Sequence, residues 1–363
     1  MPRVLITGGA GFVGSNLAVS LAARHQDWEL VALDSLYRRG SALNLPRLEE
    51  AGVEFVKGDV RDPEGLARLP KLDAIIECSA EPSVMSGVDG DTGYLVHTNL
   101  TGAYNCLELA RRDGAFFVFL STSRVYPVAP QVDLRLEEAA TRFELAAEQE
   151  VRGVSPAGIS EDFPLEGART LYGATKLAAE LLVEEYRASL GVPAVIDRFG
   201  VIAGPWQMGK VDQGVFTHWM LAHYFRNPLS YIGFGGHGKQ VRDLLHVLDL
   251  VDLVERQLLD PDKWDGKTVN AGGGYECSLS LRETTGICRR LTGNEVEITP
   301  VAETRQGDVP IYLSDCARLF DLDEWRPRRS AEDVLADIYE WVASDEDRIA
   351  AALEIDTSSR GKE

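Results

Sequence analysis

Tyr172 and Lys176 stand four residues apart in the stretch Tyr172-Gly173-Ala174-Thr175-Lys176. On a helix that spacing puts both side chains on one face, so a phenol and an ammonium can share one site. A phenol is a poor base near neutrality, with an ordinary pKa of about 10. A cation beside it favours the phenolate and lowers that value. A tyrosine so poised can take a proton from a hydroxyl while a hydride leaves the same carbon. The same five residues would also serve as an ordinary surface helix start, so the pair gains meaning only from its surroundings.

The elements around it alternate between strand and helix. Residues 4–6 are a short apolar run that reads as a buried strand, and residues 15–23 read as a helix. Between them lies Thr7-Gly8-Gly9-Ala10-Gly11-Phe12-Val13-Gly14, in which Gly9, Gly11 and Gly14 fit the G-x-G-x-x-G spacing. Glycines there permit a tight turn and let the backbone approach a pyrophosphate at the positive end of the helix. Gly8, Gly11, Phe12, Val13 and Gly14 are therefore candidate cofactor contacts.

A second strand over residues 29–33 ends in Asp34, 20 residues past Gly14, near where a ribose-binding acid is expected. Its carboxylate would accept from the ribose hydroxyls and repel a 2′-phosphate, which favours NAD. Ser35 belongs to the same turn. Arg38 and Arg39 would welcome a 2′-phosphate instead, but Asp34 carries more weight. A third strand over residues 53–56 leads to Asp59 and Val60, placed where a loop passes an adenine. The same stretch would also cap a helix beginning near Pro63.

A fourth strand, residues 72–78, runs into Ser79-Ala80-Glu81-Pro82-Ser83 at the carboxyl edge of the predicted sheet, where α/β proteins bind ligands. Residues 98–112 read as a helix with Asn99 near its start, and residues 115–120 as a fifth strand. Helix 171–190 and strand 192–198 continue the pattern. This succession predicts a parallel, doubly wound sheet. The fifth strand delivers Ser121-Thr122-Ser123-Arg124-Val125-Tyr126, a hydroxyl source that can reach both a substrate oxygen and Tyr172.

Composition narrows the field. The chain has 363 residues and a formal charge of −20, which argues against nonspecific nucleic-acid binding. Five scattered cysteines with no C-x-x-C suggest neither a disulfide framework nor a zinc site. His218 and His223, five apart in an apolar helix over residues 216–225, do not share one face, so no metal pair is expected. No apolar run approaches the roughly 20 residues that span a bilayer, and no signal peptide is read before the first strand. A cytoplasmic protein with no membrane partner is expected.

The glycine loop, the Ser-Thr-x-x-Val-Tyr segment and Tyr172-x-x-x-Lys176 together resemble the extended short-chain dehydrogenase/reductase family. The resemblance implies a Rossmann-type doubly wound parallel sheet with a smaller C-terminal substrate-binding lobe. It also implies an enzyme acting on a nucleotide sugar with tightly held NAD. On the family's pattern the catalytic hydroxyl lies four residues before the tyrosine of the Val-Tyr pair, which here is Thr122; Tyr172 and Lys176 match the other two catalytic positions. Lys176 would lower the tyrosine pKa and hold the nicotinamide ribose. Dehydratases of the family carry an Asp-Glu pair after that hydroxyl. Here the positions are Ser123 and Arg124, so dehydration is disfavoured.

Further segments resemble the CDP-hexose 2-epimerase branch. They are Asp34 to Ser41 with Asn44-Leu45, Gly204-Pro205-Trp206-Gln207 with Asp212-Gln213-Gly214, Gly238 to Asp243, Asn270 to Gly274, and Arg305 to Asp315. The resemblance covers residues 3–342. It departs at Glu81, where the branch has Gln, at Ser123-Arg124, where it has Asn-Lys, and at Pro127, where it has Gly.

Arg242 and Arg305 are assigned to the substrate diphosphate, since a guanidinium binds phosphate oxygens in bidentate fashion; a surface ion pair is the alternative for each. Ser83, Ser123, Arg124 and Gln207 complete the candidate substrate set, with Lys239 and Gln240 as weaker members. Residues 1–198 are expected to form the NAD-binding domain, with a return segment at about 238–262. Residues 199–237 and 263–345 form the substrate lobe, and 346–363 a frayed tail. Residues 131–163 read as a long acidic helix-like segment. The family commonly pairs through the helices that here are 98–112 and 171–190, so a homodimer is expected. The reading is an epimerase, most simply at C2 of a CDP-hexose; a 4-epimerase, a reductase consuming external NADPH and, further off, a non-catalytic NAD-binding regulatory protein are its alternatives.

Overall fold

A computed structural model describes residues 1–38, 40–83, 91–209 and 214–355. Seven parallel strands form the main sheet: β1 (Arg3–Thr7), β2 (Glu29–Asp34), β3 (Glu54–Lys57), β4 (Ala74–Glu77), β5 (Phe116–Thr122), β6 (Ala194–Phe199) and β7 (Lys267–Ala271). Their spatial order is β7-β6-β5-β4-β1-β2-β3. The order reverses between β1 and β4, so the loops leaving those two strands part there and open a crevice.

Alternation along the strands builds two cores. Val4 and Ile6 face one side, where they pack with Leu17 and Leu21 of α1 (Phe12–Arg24) and Leu250 and Val254 of a later helix, Val247–Leu259. Leu5 faces the other side, with Leu107 and Ala110 of α2 (Gly102–Asp113) and Ala179 and Val183 of α3 (Leu171–Leu190). Both faces are covered, which is why the strands read as continuous apolar runs. α3 starts where Thr170 Oγ1 accepts from Gly173 N at 3.2 Å, and this cap fixes Tyr172 in the first turn.

The smaller lobe holds a second sheet of Val201–Ala203, Val241–His246 and Ser278–Ser280, with Ile311–Tyr312 added to the middle strand. Helices Val215–Phe225, Leu281–Thr292 and Ala331–Ser344 pack beside it around Trp219, Met220, Leu335 and Trp341.

Three expectations change. Residues 131–163 do not form a helix: after a short turn of helix at Val128–Val132 the chain makes two antiparallel hairpins, Leu136–Glu138 with Phe143–Leu145 and Val154–Ser155 with Gly158–Ile159. Their apolar residues Leu145, Ile159 and Phe163 are drawn into a cluster with Tyr126 and Tyr312, and that burial outweighs the helix propensity of the glutamates. The return segment divides: its helix Val247–Leu259 packs on the main-sheet core. Val241–His246 joins the smaller sheet, and the strand that completes the main one is β7, beyond residue 262. Finally, Glu346–Leu353 is a helix that buries Ile349 and Ala350 against the smaller lobe, so the tail is shorter than expected. Residues 356–363 lie outside the described residues.

Candidate active site

The loop after β1 turns tightly at Gly8, whose φ is +61°. A Cβ on Gly14 would lie 2.3 Å from the Gly8 carbonyl oxygen, so no side chain fits where the loop enters α1. Gly11 caps α1 with no side-chain hydrogen bond. The N–H groups of the first helical turn have no intrahelical acceptors, and Gly11, Phe12, Val13 and Gly14 line a cavity of about 370 Å³. The Gly11 amide donates to the Gly8 carbonyl at 2.9 Å, which sets the tight turn, and this glycine cradle at the positive helix end fits the pyrophosphate of a dinucleotide.

Asp34 ends β2 beside the cradle. Its Oδ2 accepts from Ala10 N at 3.2 Å and its Oδ1 from Leu36 N at 2.7 Å. Burial raises its pKa against those two amides and the charge of Arg38. Thr7 Oγ1 accepts from the amides of Cys78 and Ser79, which ties the β4 loop to β1. Ser35, Arg38, Asp59, Val60, Ser79 and Ala80 line the same cavity.

Thr122, Tyr172 and Lys176 also line it, with Ser123, Arg124 and Gln207 at its far end. β5 delivers Thr122, and α3 delivers the other two from one face. The Thr122 hydroxyl and the Tyr172 phenol face the same cavity, and the hydroxyl favours the ionised phenol. Thr122 Oγ1 also accepts from Arg124 N at 3.2 Å. Beneath them Arg198 holds Glu180 at 2.7 Å, Glu180 accepts from Ser121, and Tyr126 donates to Asn270 at 2.7 Å. This buried network ties β5, α3 and β6 into one rigid floor.

The electrostatics differ from the sequence expectation that Lys176 lowers the Tyr172 pKa. Burial pushes Tyr172 up to about 12, with the Glu77 charge adding to the rise and the Thr122 hydroxyl and the charges of Arg124 and Arg38 opposing it. Lys176 Nζ lies 3.4 Å from Glu77 Oε2, so its charge is met by a carboxylate that sequence reasoning missed. A signal existed: Glu77 is the one charged residue in the apolar run Ala74-Ile75-Ile76-Glu77.

A second cavity, also about 370 Å³, opens in the smaller lobe and shares Arg124 with the first. Arg242, Arg305 and Gln240 line it, beside Trp219 and Asp308. Arg242 donates to Asp308 Oδ1 at 2.6 Å and to the Val309 carbonyl at 2.7 Å; its burial lowers its pKa, which Asp308 opposes. Arg124 donates to the Gly307 carbonyl at 3.2 Å, across the junction of the two cavities.

Several assigned residues sit elsewhere or are otherwise engaged. The Asp59 carboxylate lines the first cavity but is taken up by Arg61, with contacts of 2.6 to 3.1 Å, which lowers its pKa. Asn99 is buried outside both cavities, where it brackets the backbone of Glu81 and donates to Thr175 Oγ1 at 3.2 Å; it positions α3 and the β4 loop. Ser83 is buried, its amide donating to Glu81 Oε1, and lines neither cavity. Lys239 donates to Glu138 at 2.8 Å and to the Ala139 carbonyl, anchoring the first hairpin. Gln207 lines the first cavity with its amide spent on Ile202 and Thr217. Arg39, Asp212 and Gln213 lie outside the described residues.

Comparison with known proteins gives the same picture. The family model of the NAD dependent epimerase/dehydratase family matches residues 4–272. CDP-paratose 2-epimerase of Salmonella typhi is 29% identical over 94% of this chain and 99% of its own. dTDP-glucose 4,6-dehydratase of Mycobacterium tuberculosis is 30% identical over 95% of this chain and 94% of its own. Among solved structures, UDP-glucose 4-epimerase of Thermus thermophilus in complex with NAD superposes with a TM-score of 0.73 at 26% identity, covering 94% of this chain and 99% of that one.

Proposed function

The chain belongs to the NAD dependent epimerase/dehydratase family, and from that premise we propose that it is a nucleotide-sugar epimerase inverting C2 of a CDP-hexose. The observation that carries the reading is the convergence of Thr122, Tyr172 and Lys176 on the glycine-cradle cavity, which meets the arginine-lined one at Arg124.

Bound in the first cavity, NAD supplies a hydride acceptor that also returns what it takes, together with a positive ring charge. The glycine cradle and Asp34 hold it. Residues of this chain handle everything else. Tyr172 Oη takes the proton from the sugar C2 hydroxyl and gives it back after the sugar has turned its other face. Thr122 holds the same sugar oxygen through its hydroxyl. Arg242 and Arg305 keep the diphosphate anchored while the ring turns, and Arg124 bridges the two cavities. No net oxidation or reduction results.

The branch is supported by the segments resembling CDP-hexose 2-epimerases and by the Salmonella relative, which aligns along almost its whole length. Dehydration has no support at the site, because Ser123 and Arg124 follow Thr122 and offer no carboxylate to remove water. Epimerisation at C4 is the second reading, favoured by the likeness to the Thermus enzyme. The same reading takes the protein as a cytoplasmic homodimer pairing through α2 and α3, where Tyr104 and Leu181 are exposed. The test is incubation of the purified protein with CDP-activated hexoses, followed by NMR of the sugar. Inversion at C2 supports the proposal; inversion at C4 alone transfers the enzyme to the second reading, and loss of water overturns both.

A further inference from the structure

Glu77 closes β4 directly beneath the crevice. Its side chain is 1% exposed and its Oε1 has no hydrogen-bond partner. Lys176, 2% exposed, has its Nζ 3.4 Å from Glu77 Oε2 and 3.9 Å above the centre of the Phe119 ring. Among the described residues, Glu77 is the carboxylate within ion-pair range of Lys176. An ammonium buried between a strand end and an aromatic ring is expelled or neutralised unless a counter-charge meets it. Glu77 supplies that charge.

The arrangement has a second effect. A buried Glu–Lys pair is neutral as a unit, so its two charges act on Tyr172 with opposite sign. The other charged groups acting on Tyr172 are Arg124 and Arg38, with the Thr122 hydroxyl lining the same cavity. The thiols of Cys78 and Cys106 stand close to Glu77, and burial pushes both up, so they stay neutral.

We propose that Glu77 is a positioning residue: it holds the Lys176 ammonium on the crevice floor and offsets its charge, leaving Arg124 as the main source of positive potential at Tyr172. The proposal rests on Tyr172 being the proton acceptor, and its readouts do not depend on turnover. In protein labelled with 13Cζ-tyrosine, the Tyr172 signal is assigned by its loss in Tyr172→Phe and followed against pH. Glu77→Gln should lower the Tyr172 midpoint by about one pH unit, because Lys176 is then unopposed. An unchanged midpoint overturns the offset.

Stability gives the independent check. Lys176→Met strands a buried carboxylate and should melt below the wild type, and adding Glu77→Gln to it should raise the melting temperature again. A double variant that melts no higher than Lys176→Met overturns the pairing. If both shifts appear and no CDP-hexose is turned over, the epimerase reading fails while the role of Glu77 stands. If neither appears and turnover is seen, the reverse holds.

Discussion

Arg38 Nη2 donates to Glu81 Oε1 at 2.7 Å, joining the loop after β2 to the loop after β4 across the cofactor crevice. Arg38 is one of the two arginines, with Arg39, that would otherwise greet a 2′-phosphate, and Asp34 stands four positions before it. With the guanidinium held by a carboxylate, the electrostatics at this end of the crevice favour NAD. Glu81→Gln should loosen that hold and improve NADPH binding by about tenfold, close to 1.4 kcal/mol, with little change for NADH. Fluorescence titration with each reduced nucleotide measures both; equal effects on the two would contradict the assignment.

Gly173 is where the catalytic helix touches the catalytic loop. A Cβ there would lie 2.0 Å from the Arg124 carbonyl oxygen, and backbone cannot yield cheaply. Gly173→Ala should destabilise the protein by about 1–3 kcal/mol. It should also cut turnover more than it weakens coenzyme binding, since it moves Tyr172 against Thr122 but leaves the cradle alone. Denaturant unfolding and coenzyme titration separate the two effects.

Asp197 lies fully buried in β6, with Oδ1 accepting from Gln257 Nε2 at 2.8 Å and Oδ2 unpartnered. Burial pushes its pKa up to about 7 from 3.8. The folded chain therefore keeps a proton that the unfolded chain releases near pH 4. Stability contributed by this group falls as pH rises from about 4 to about 7 and is level above that. The swing is on the order of 4 kcal/mol. Asp197→Asn should flatten the pH dependence across that window and raise stability at pH 8, as read from urea midpoints at several pH values.

Arg242 is committed to Asp308 and to two backbone carbonyls, Val241 and Val309, which fixes its guanidinium in the wall of the second cavity. If it holds the diphosphate, Arg242→Lys should raise KM for the nucleotide sugar by about ten- to a hundredfold, because the ammonium cannot reproduce a fixed fork. NAD affinity should stay constant. A change in coenzyme affinity of the same size would place the residue at the wrong ligand.

Much of this architecture is visible in the residues themselves. Val4, Leu5 and Ile6 announce a strand buried on both faces, and the glycine spacing announces the turn that follows. Tyr172 and Lys176 fall on one helix face because the period of 3.6 residues requires it. What stays hidden is pairing across long separations. Glu77 meets Lys176 over 99 residues and Lys239 meets Glu138 over 101, and no local pattern specifies either contact. The acidic stretch after Gln131 failed for a related reason: its glutamates favour helix locally, while the cluster around Tyr126 pulls its apolar residues into hairpins. Asp59 is different, for its partner Arg61 is only two residues away and the pairing could have been read.

The account stands on the Tyr172 phenol as the group that takes and returns the proton. The most direct measurement follows the C2 signals of a CDP-hexose by NMR with wild type and Tyr172→Phe, each first assayed for bound NAD. The account predicts inversion by the wild type and a loss of about a thousandfold or more in the variant, with bound NAD retained. Undiminished inversion by Tyr172→Phe would contradict it.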